Sequence, residues 1–147
     1  EELKLNQRLV YHNEHFVVVV PFWAAWPFEV LVLPRTHRPS LTALSEPEVA
    51  GLAMCLAVVN RIYAKLFNRP RYGAPYTMGI HQLPAGVREA AWQMHIHFEP
   101  PGLGPQRPNA DKHMVGFERY VLRGRDTLPE TAAETMRQEL AGITLPT

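Results

Sequence analysis

The sequence predicts an α+β domain, in which a mainly antiparallel sheet of about five strands packs on one long helix and a second helix lies near the C-terminus. Short β-branched or alternating segments stand on both sides of one long stretch whose apolar residues follow helical spacing. Residues 82–91, between the last two alternating segments, are enough for an antiparallel return. A chain of 147 residues suits a single domain with one core.

Three strands are predicted before the helix, over residues 9–12, 16–20 and 28–33. Residues 16–20 are apolar and mostly β-branched, which suits a strand buried on both faces. The third strand is apolar except for Glu29. The connector 21–27 holds Trp23 and Trp26 in a frame of alanine and proline, and it predicts a turn packed over the core.

The long helix is predicted to begin after Ser45, because Ser45 and Glu48 match the pattern of a capping box. Glu46 and Glu48 also place negative charge at the positive end of the helix dipole. Apolar residues then recur at helical spacing, at Leu52, Leu56, Val59, Ile62, Tyr63, Leu66 and Phe67. Cys55 lies within this helix and is predicted to be a small buried hydrophobe.

Two alternating segments follow the helix, over residues 76–81 and 92–99. In the first, one face is apolar and His81 lies on the other face. In the second, the polar face carries Gln93, His95, His97 and Glu99, and the apolar face carries Trp92, Met94, Ile96 and Phe98. If the two segments pair as antiparallel strands, His81 joins His95 and His97 on one side of the sheet.

This histidine cluster has two interpretations. The Cα atoms of two histidines at i and i+2 on a strand lie roughly 6.5–7 Å apart. Their imidazoles can therefore converge on one metal ion or one phosphate. Three histidines from two strands form a plausible set of metal ligands. The alternative is an ordinary solvated polar face.

The C-terminal part begins with a loop over residues 100–111, which is rich in proline and glycine and is placed to lie over a ligand. Residues 114–120 are predicted to form a last extended segment. A final helix follows, with Thr127 and Glu130 as its caps, Pro129 in its first turn, and Met136 and Leu140 on its inner side.

Composition narrows the class of protein. The net charge is +1 and the basic residues are scattered, so we expect no nucleic-acid partner. The longest apolar run, residues 16–25, is too short to cross a bilayer, so we expect no membrane span. The single cysteine, Cys55, excludes an internal disulfide and a cysteine-rich zinc site, and it fits a cytoplasmic protein. The chain opens at Glu1 with no signal peptide and no starting methionine, and we expect it to be a piece of a longer protein.

Five segments in order resemble the C-terminal half of galactose-1-phosphate uridylyltransferase, in the histidine-triad superfamily. They are residues 21–29 (PFWAAWPFE), 33–37 (LPRTH), 76–81 (YTMGIH), 92–98 (WQMHIHF) and 112–118 (KHMVGFE). The first and last of these are the most specific. The resemblance covers nearly the whole chain and is much stronger than a lone His-x-His.

The resemblance implies that residues 1–147 form a single domain, the C-terminal half of an enzyme of galactose metabolism. That enzyme acts as a dimer and moves a uridylyl group between UDP-glucose and galactose 1-phosphate through a covalent uridylyl-histidine. Its nucleophile lies in an H-P-H-G-Q segment of the N-terminal half, which nothing in these 147 residues matches. We therefore expect a UDP-sugar, a hexose 1-phosphate, the N-terminal half and a second copy of the chain as partners.

The resemblance also assigns the histidine cluster. His81, His95 and His97 match the three histidines of a structural site that holds one divalent ion, zinc or iron. In the family, a glutamate of the N-terminal half completes this site. Here we expect water, Glu99 or a neighbouring chain to take the fourth position.

A second group of residues matches the segment that reaches the sugar phosphate, namely Lys112, Val115, Phe117 and Glu118. Without the resemblance, Lys112 and Glu118 would be ordinary surface charges. Phe117 stands where many members have tyrosine, so one hydroxyl is lost. Gly124 falls where a sugar-contacting glutamine is expected, which leaves the hexose specificity open.

Two further hypotheses belong to other classes of protein. The chain could be a standalone histidine-triad nucleotide hydrolase or transferase with His97 as its nucleophile, since His97 holds the corresponding position in the His-x-His pattern. Such hydrolases usually continue to a third histidine, and Glu99 stands there. The chain could also be a non-catalytic metal-binding module. An upstream segment encoding H-P-H-G-Q would decide for the transferase.

Overall fold

The computed structural model describes residues 2–68, 75–100 and 127–145. Its sheet has five strands: β1 (Leu9–His12), β2 (Phe16–Val19), β3 (Val30–Pro34), β4 (Thr77–His81) and β5 (His95–Glu99). They pair in the order β1-β2-β3-β5-β4, and every pairing is antiparallel. The predicted sheet is therefore confirmed, with strand ends that differ by at most three residues from those expected.

Within the described residues, three α-helices accompany the sheet: α1 (Glu2–Leu5), α2 (Glu46–Leu66) and α3 (Pro129–Ala141). Short 3-10 turns lie at Leu41–Ala43 and Glu89–Ala91. The predicted capping box of α2 is present, since the Ser45 backbone N–H donates to Glu48 Oε2 at 2.8 Å. The long helix and the C-terminal helix were both predicted, whereas α1 was not.

The main core lies between one face of the sheet and the two longer helices. Its most buried side chains come from all these elements and include Phe16, Val18, Val30, Val32, Val58, Ile62, Tyr63, Ile96, Phe98 and Met136. Burial of one such side chain stabilises the fold by roughly 1.5–3 kcal/mol, so packing outweighs helix propensity in holding α2. Of the apolar residues predicted for the inner face of α2, only Leu56 is not fully buried.

The opposite face of the sheet carries a smaller apolar cluster of Leu9, Val19 and Leu31. Because β2 is apolar on both sides, as predicted, it contributes to both clusters. Leu31 pairs with His97 across β3 and β5, so the apolar cluster and the histidines share this second face.

The turn between β1 and β2 is held against α2 by one side chain. Asn13 Oδ1 accepts from the backbone N–H groups of His15 and Phe16, at 2.9 and 2.8 Å. Its amide donates to the Gly51 carbonyl at 2.8 Å and lies 3.4 Å from Cys55 Sγ. Cys55 is fully buried, as predicted, and this burial raises the pKa of its thiol to about 12.

By length and composition, α2 would also pass as a membrane span. It has 21 residues and a mean hydropathy of 1.5. Eight of its residues are buried in the fold, and its apolar side packs on β2 and α3. The same features are found in the core helix of a globular domain, which is the role of α2 here.

Residues 92–94 were predicted to belong to the last strand, but β5 begins only at His95. These residues bond mainly to the loop after β3 and to Pro34 at the end of that strand. The Met94 N–H donates to the Arg38 carbonyl at 2.8 Å, and Gln93 Nε2 donates to the Thr36 carbonyl at 3.3 Å. Alternation alone cannot separate a strand from an extended segment that bonds to a loop.

Two predictions at the ends of elements were wrong. Leu128, in extended conformation, is the N-cap of α3, rather than Thr127. Glu130 contributes to a long-range contact, because Arg8 Nη1 lies 2.9 Å from Glu130 Oε1. Met136 is fully buried on the inner side of α3, as predicted.

The aromatic connector, residues 21–27, was predicted to pack over the core. This holds for Ala24, which is 6% exposed, and Phe28, directly after the connector, is 4% exposed. It is wrong for Trp23, which is 65% exposed, as is Phe22. The connector thus presents the rings of Phe22 and Trp23 to solvent, whereas Trp26 is half-buried.

Candidate functional site

The three histidines singled out in the sequence come from the two neighbouring strands β4 and β5. His81 pairs directly with His95, and Gly79 pairs with His97. All four residues lie on the same face of the sheet, because paired residues and residues two apart share a face. The predicted antiparallel return is confirmed, and it brings the three imidazoles together.

The imidazoles surround a common point. Their ring centroids lie 4.9 Å (His81 and His95), 5.2 Å (His81 and His97) and 5.3 Å (His95 and His97) apart. One nitrogen from each ring lies within 4.8 Å of the nitrogens of the other two. Three neutral imidazole nitrogens are a donor set that suits zinc or iron. The residues present therefore fit the metal that the sequence predicted, although metal binding itself stays a prediction.

The hydrogen bond that His95 makes decides which of its nitrogens can be a ligand. His95 Nδ1 lies 2.9 Å from the backbone carbonyl of Gln93. A carbonyl can only accept, so Nδ1 must carry the hydrogen and Nε2 keeps its lone pair.

Partial burial and the neighbouring rings of His95 and His97 lower the pKa of His81, and Glu99 opposes this effect. The neutral imidazole of His81 is therefore favoured, and this is the form that can donate a lone pair to a metal ion.

Glu29 is a buried carboxylate next to the histidines, and the sequence analysis did not assign it a role. Its side chain accepts from the backbone N–H groups of Ala25 and Trp26 through Oε2, at 2.7 and 3.2 Å. Its Oε1 atom lies 3.6 Å from His97 Nδ1. Burial alone would raise the pKa of Glu29, but His97 and the two backbone N–H groups outweigh it, so the pKa is lowered.

Gly79 leaves space at the centre of the site. A β-carbon placed on Gly79 would lie 3.2 Å from His81 Nε2, which is closer than ordinary van der Waals contact. Since Gly79 pairs with His97, the missing side chain opens the region between His81 and His97.

Glu99 lies on the same strand face as His95 and His97 and is half-buried. One ligand atom each from Glu29, His97 and Glu99 lies within 4.8 Å of the other two. The carboxylate expected near the fourth position is therefore close to His97.

The residues predicted to reach the sugar phosphate, Lys112, Val115, Phe117 and Glu118, lie outside the described residues, as does Gly124. The loop over 100–111 and the extended segment over 114–120 also lie outside them, except for Pro100. Glu29 and Gly79 are the functional candidates that sequence reasoning missed. Glu29 had one usable signal, since it is the only charge in the apolar strand predicted over residues 28–33.

Comparison with known proteins gives a consistent family. Residues 1–145 match the family described as galactose-1-phosphate uridyl transferase, C-terminal domain. A galactose-1-phosphate uridylyltransferase of Haemophilus influenzae is 42% identical over 137 residues, covering 92% of this chain and 38% of that protein. The enzyme of that name from Rattus norvegicus is 40% identical over 141 residues, covering 93% of this chain and 36% of that protein.

Solved structures agree in fold. A uridylyltransferase structure matches with a TM-score of 0.78 and 32% identity, covering 92% of this chain and 41% of that one. A zinc-bound histidine triad family protein from Mycobacterium smegmatis matches with a TM-score of 0.58 and 23% identity, covering 90% of this chain and 83% of that one. The second likeness shows the fold alone.

The chain spans less than two fifths of the length of the two curated relatives. It therefore corresponds to one part of each of these longer proteins. The family match nevertheless runs over almost every residue of the chain. The chain belongs to the galactose-1-phosphate uridyl transferase family, as its C-terminal domain.

Proposed function

We propose that this chain is the C-terminal domain of an enzyme that transfers a uridylyl group between a UDP-sugar and a hexose 1-phosphate. The support is the family match over residues 1–145. In this proposal, the nucleophilic histidine belongs to an N-terminal part, since the H-P-H-G-Q segment is not found in these 147 residues. The C-terminal domain contributes a metal clamp, contacts to the sugar phosphate and a dimer surface.

The metal clamp is the part of the proposal that the geometry supports best. The observation that carries it is the convergence of His81, His95 and His97, with one nitrogen from each within 4.8 Å of the others. The ion, zinc or iron, would crosslink β4 to β5 when bound. Among the described strands, β4 lies at one edge of the sheet and pairs only with β5, so that crosslink would secure a strand with a single described neighbour.

The experiment for the clamp combines elemental analysis with thermal melts, with and without a chelator. We expect about one zinc or iron per chain, and a lower melting temperature after chelation, because a bound ion stabilises the folded state. His95→Ala should lose the metal, whereas His12→Ala, at an exposed position at the end of β1, should keep it. Full metal content in His95→Ala would refute the three-histidine site and leave the solvated polar face.

The transfer role is tested by assaying the purified chain with UDP-glucose and galactose 1-phosphate. We expect no transfer of UMP by the 147 residues alone, because the proposed nucleophile is not among them. Turnover above background that His97→Ala abolishes would favour the standalone histidine-triad enzyme. A metal ligand and a nucleophile need the same imidazole lone pair, so His97 cannot serve both roles.

We also propose that the chain forms a homodimer or a larger assembly. Phe22 and Trp23 are each 65% exposed, and exposed aromatic side chains are common at protein interfaces. Light scattering at tens of micromolar should give a mass above that of one chain. A clean monomer would contradict this proposal.

The proposed contacts with a sugar phosphate rest on the family resemblance alone. They are assigned to Lys112, Val115, Phe117 and Glu118.

A further inference from the structure

We infer that Glu29 is a positioning residue that sets the tautomer of His97, so that Nδ1 of this ring carries the hydrogen and Nε2 is free to be the ligand. The inference rests on the proposed three-histidine metal site and deepens it. It assigns a role to a buried carboxylate that lies between the aromatic connector and β3, far from His97 in the sequence.

The position of the Glu29 carboxylate is held by the backbone around it. Its Oε2 atom accepts two N–H groups, from Ala25 and Trp26, so the connector wraps around this oxygen. The preceding residue, Phe28, has a positive φ of 63° and its carbonyl accepts from the buried Tyr63 hydroxyl at 2.7 Å. With Glu29 only 4% exposed, little freedom remains to the side chain.

The second oxygen of Glu29 points to His97. The distance from Oε1 to His97 Nδ1 is 3.6 Å, and this nitrogen is buried with no hydrogen-bond partner among the described residues. Closing the gap to about 2.8 Å would form a charge-assisted hydrogen bond. A carboxylate can only accept, so the bond would require the hydrogen on Nδ1 and leave the lone pair on Nε2.

His95 provides an independent parallel in the same site. Its Nδ1 atom is held by the Gln93 carbonyl at 2.9 Å, which leaves its Nε2 free. Metal-binding histidines usually donate their second N–H to a carbonyl or a carboxylate, and this partner orients the ring. His95 has the carbonyl and His97 has the carboxylate.

Glu99 is the competing carboxylate, since its oxygen also lies within 4.8 Å of the ligand atoms of Glu29 and His97. It differs from Glu29 in two respects. It is only half-buried, and within the described part of the chain no hydrogen bond to its carboxylate was found. A carboxylate without backbone donors has more freedom and orients a ring less well.

The test is nitrogen-15 NMR of the histidine rings in the metal-free 147-residue chain. The pH is kept above the ordinary histidine pKa of about 6.5, so that the rings are neutral. In the wild type we expect the hydrogen of His97 on Nδ1. Glu29→Gln keeps the shape and leaves a carbonyl oxygen for the Ala25 and Trp26 N–H groups. Its amide nitrogen then faces His97 Nδ1 as a donor, so we expect the hydrogen to move to Nε2.

His95 is the internal control in the same spectra, because its tautomer depends on Gln93 and should not change. Glu99→Gln is the matched variant, and it should leave the tautomer of His97 as in the wild type. The inference is overturned if the wild type carries the hydrogen of His97 on Nε2. It is equally overturned if Glu99→Gln moves that hydrogen and Glu29→Gln does not.

Zinc affinity, measured by competition with a chelator, provides the second readout. Loss of such an orienting partner typically lowers metal affinity about 10- to 100-fold, and we expect a decrease of that size in Glu29→Gln. Unchanged affinity in Glu29→Gln would contradict the role of Glu29. If the wild type binds no zinc or iron, the proposed metal site fails, and the tautomer comparison still decides the assignment of Glu29.

Discussion

Among single residues, a few polar contacts inside the core determine the position of Glu29 next to the histidines. The Tyr63 hydroxyl is buried and donates to the carbonyl of Phe28, the residue before Glu29. Phe28 has φ of 63°, a conformation that side-chain-bearing residues rarely adopt. The hydrogen bond from α2 therefore stabilises the turn that aims Glu29 at His97.

We predict that Tyr63→Phe lowers the free energy of unfolding by about 1–3 kcal/mol, because it leaves the buried Phe28 carbonyl without its donor. Urea denaturation measures this. Tyr76→Phe is the control, since the Tyr76 ring also packs on Phe98 but its hydroxyl makes no hydrogen bond within the described ranges. Equal stabilities of the two variants would contradict the prediction.

At the scale of elements, the start of α2 is joined to the loop after β3 through Glu48. This carboxylate accepts from the Ser45 backbone, the Arg38 guanidinium and the Thr36 hydroxyl. These donors, chiefly the Ser45 backbone N–H and Arg38, lower the pKa of Glu48 from 4.5 to about 2. The same loop receives the Met94 N–H at Arg38, so the helix start, the loop and the approach to β5 are connected.

This pKa predicts how stability depends on pH. The lowered pKa means that the unfolded chain takes up a proton at higher pH than the folded one. The contribution of Glu48 is therefore complete above pH 4.5 and is lost as the pH falls towards 2. Urea titrations should show that the stability advantage of the wild type over Glu48→Gln shrinks across this range. An advantage that does not change with pH would contradict the prediction.

Gly79 in β4 affects both the stability of the strand and the space next to His81. Glycine inside a strand destabilises by roughly 0.5–1 kcal/mol relative to alanine, so Gly79→Ala should stabilise the metal-free chain by up to about that amount. The new methyl group would crowd His81 Nε2, so zinc affinity should fall. Chelator competition and urea denaturation measure the two opposite effects. Met78→Ala, on the other face of β4, is the control and should leave zinc affinity unchanged. If Gly79→Ala binds zinc as tightly as the wild type, the predicted crowding of His81 is refuted.

At the scale of the whole molecule, the two faces of the sheet have different roles. One face holds the main core with α2 and α3, and the other combines a small apolar cluster with the histidines. On the apolar face of β4, Met78 and Ile80 are 42% and 39% exposed, and β4 is an edge strand among the described strands. The larger apolar core therefore lies on one face, and the proposed metal site lies on the other.

If α3 is part of the same cooperative unit, damage to its inner face should destabilise the whole domain. Met136 is fully buried, and Met136→Ala should lower the free energy of unfolding by about 2–5 kcal/mol in a single transition. Thr131→Ala, at an exposed position on α3, should change it by less than about 0.5 kcal/mol. Two separate transitions in circular dichroism would show that α3 unfolds on its own.

Local residue patterns were enough to predict the main elements and their faces. The capping box of Ser45 and Glu48 located the start of α2, and period-two alternation located β4 and β5. Alternation also placed His95 and His97 on one face, because side chains on a strand point to alternate sides. These signals are local, so they can be read without knowing where the rest of the chain lies.

Which distant groups meet depends on the path of the folded chain. The register that sets His81 against His95 and Gly79 against His97 depends on how the chain returns between the strands. The approach of Glu29 to His97 depends on a turn with positive φ and on two backbone N–H groups that no residue pattern encodes. The donors and acceptors of a folded backbone are set by its path in space, and for this reason the partner of His97 could not be found from the sequence.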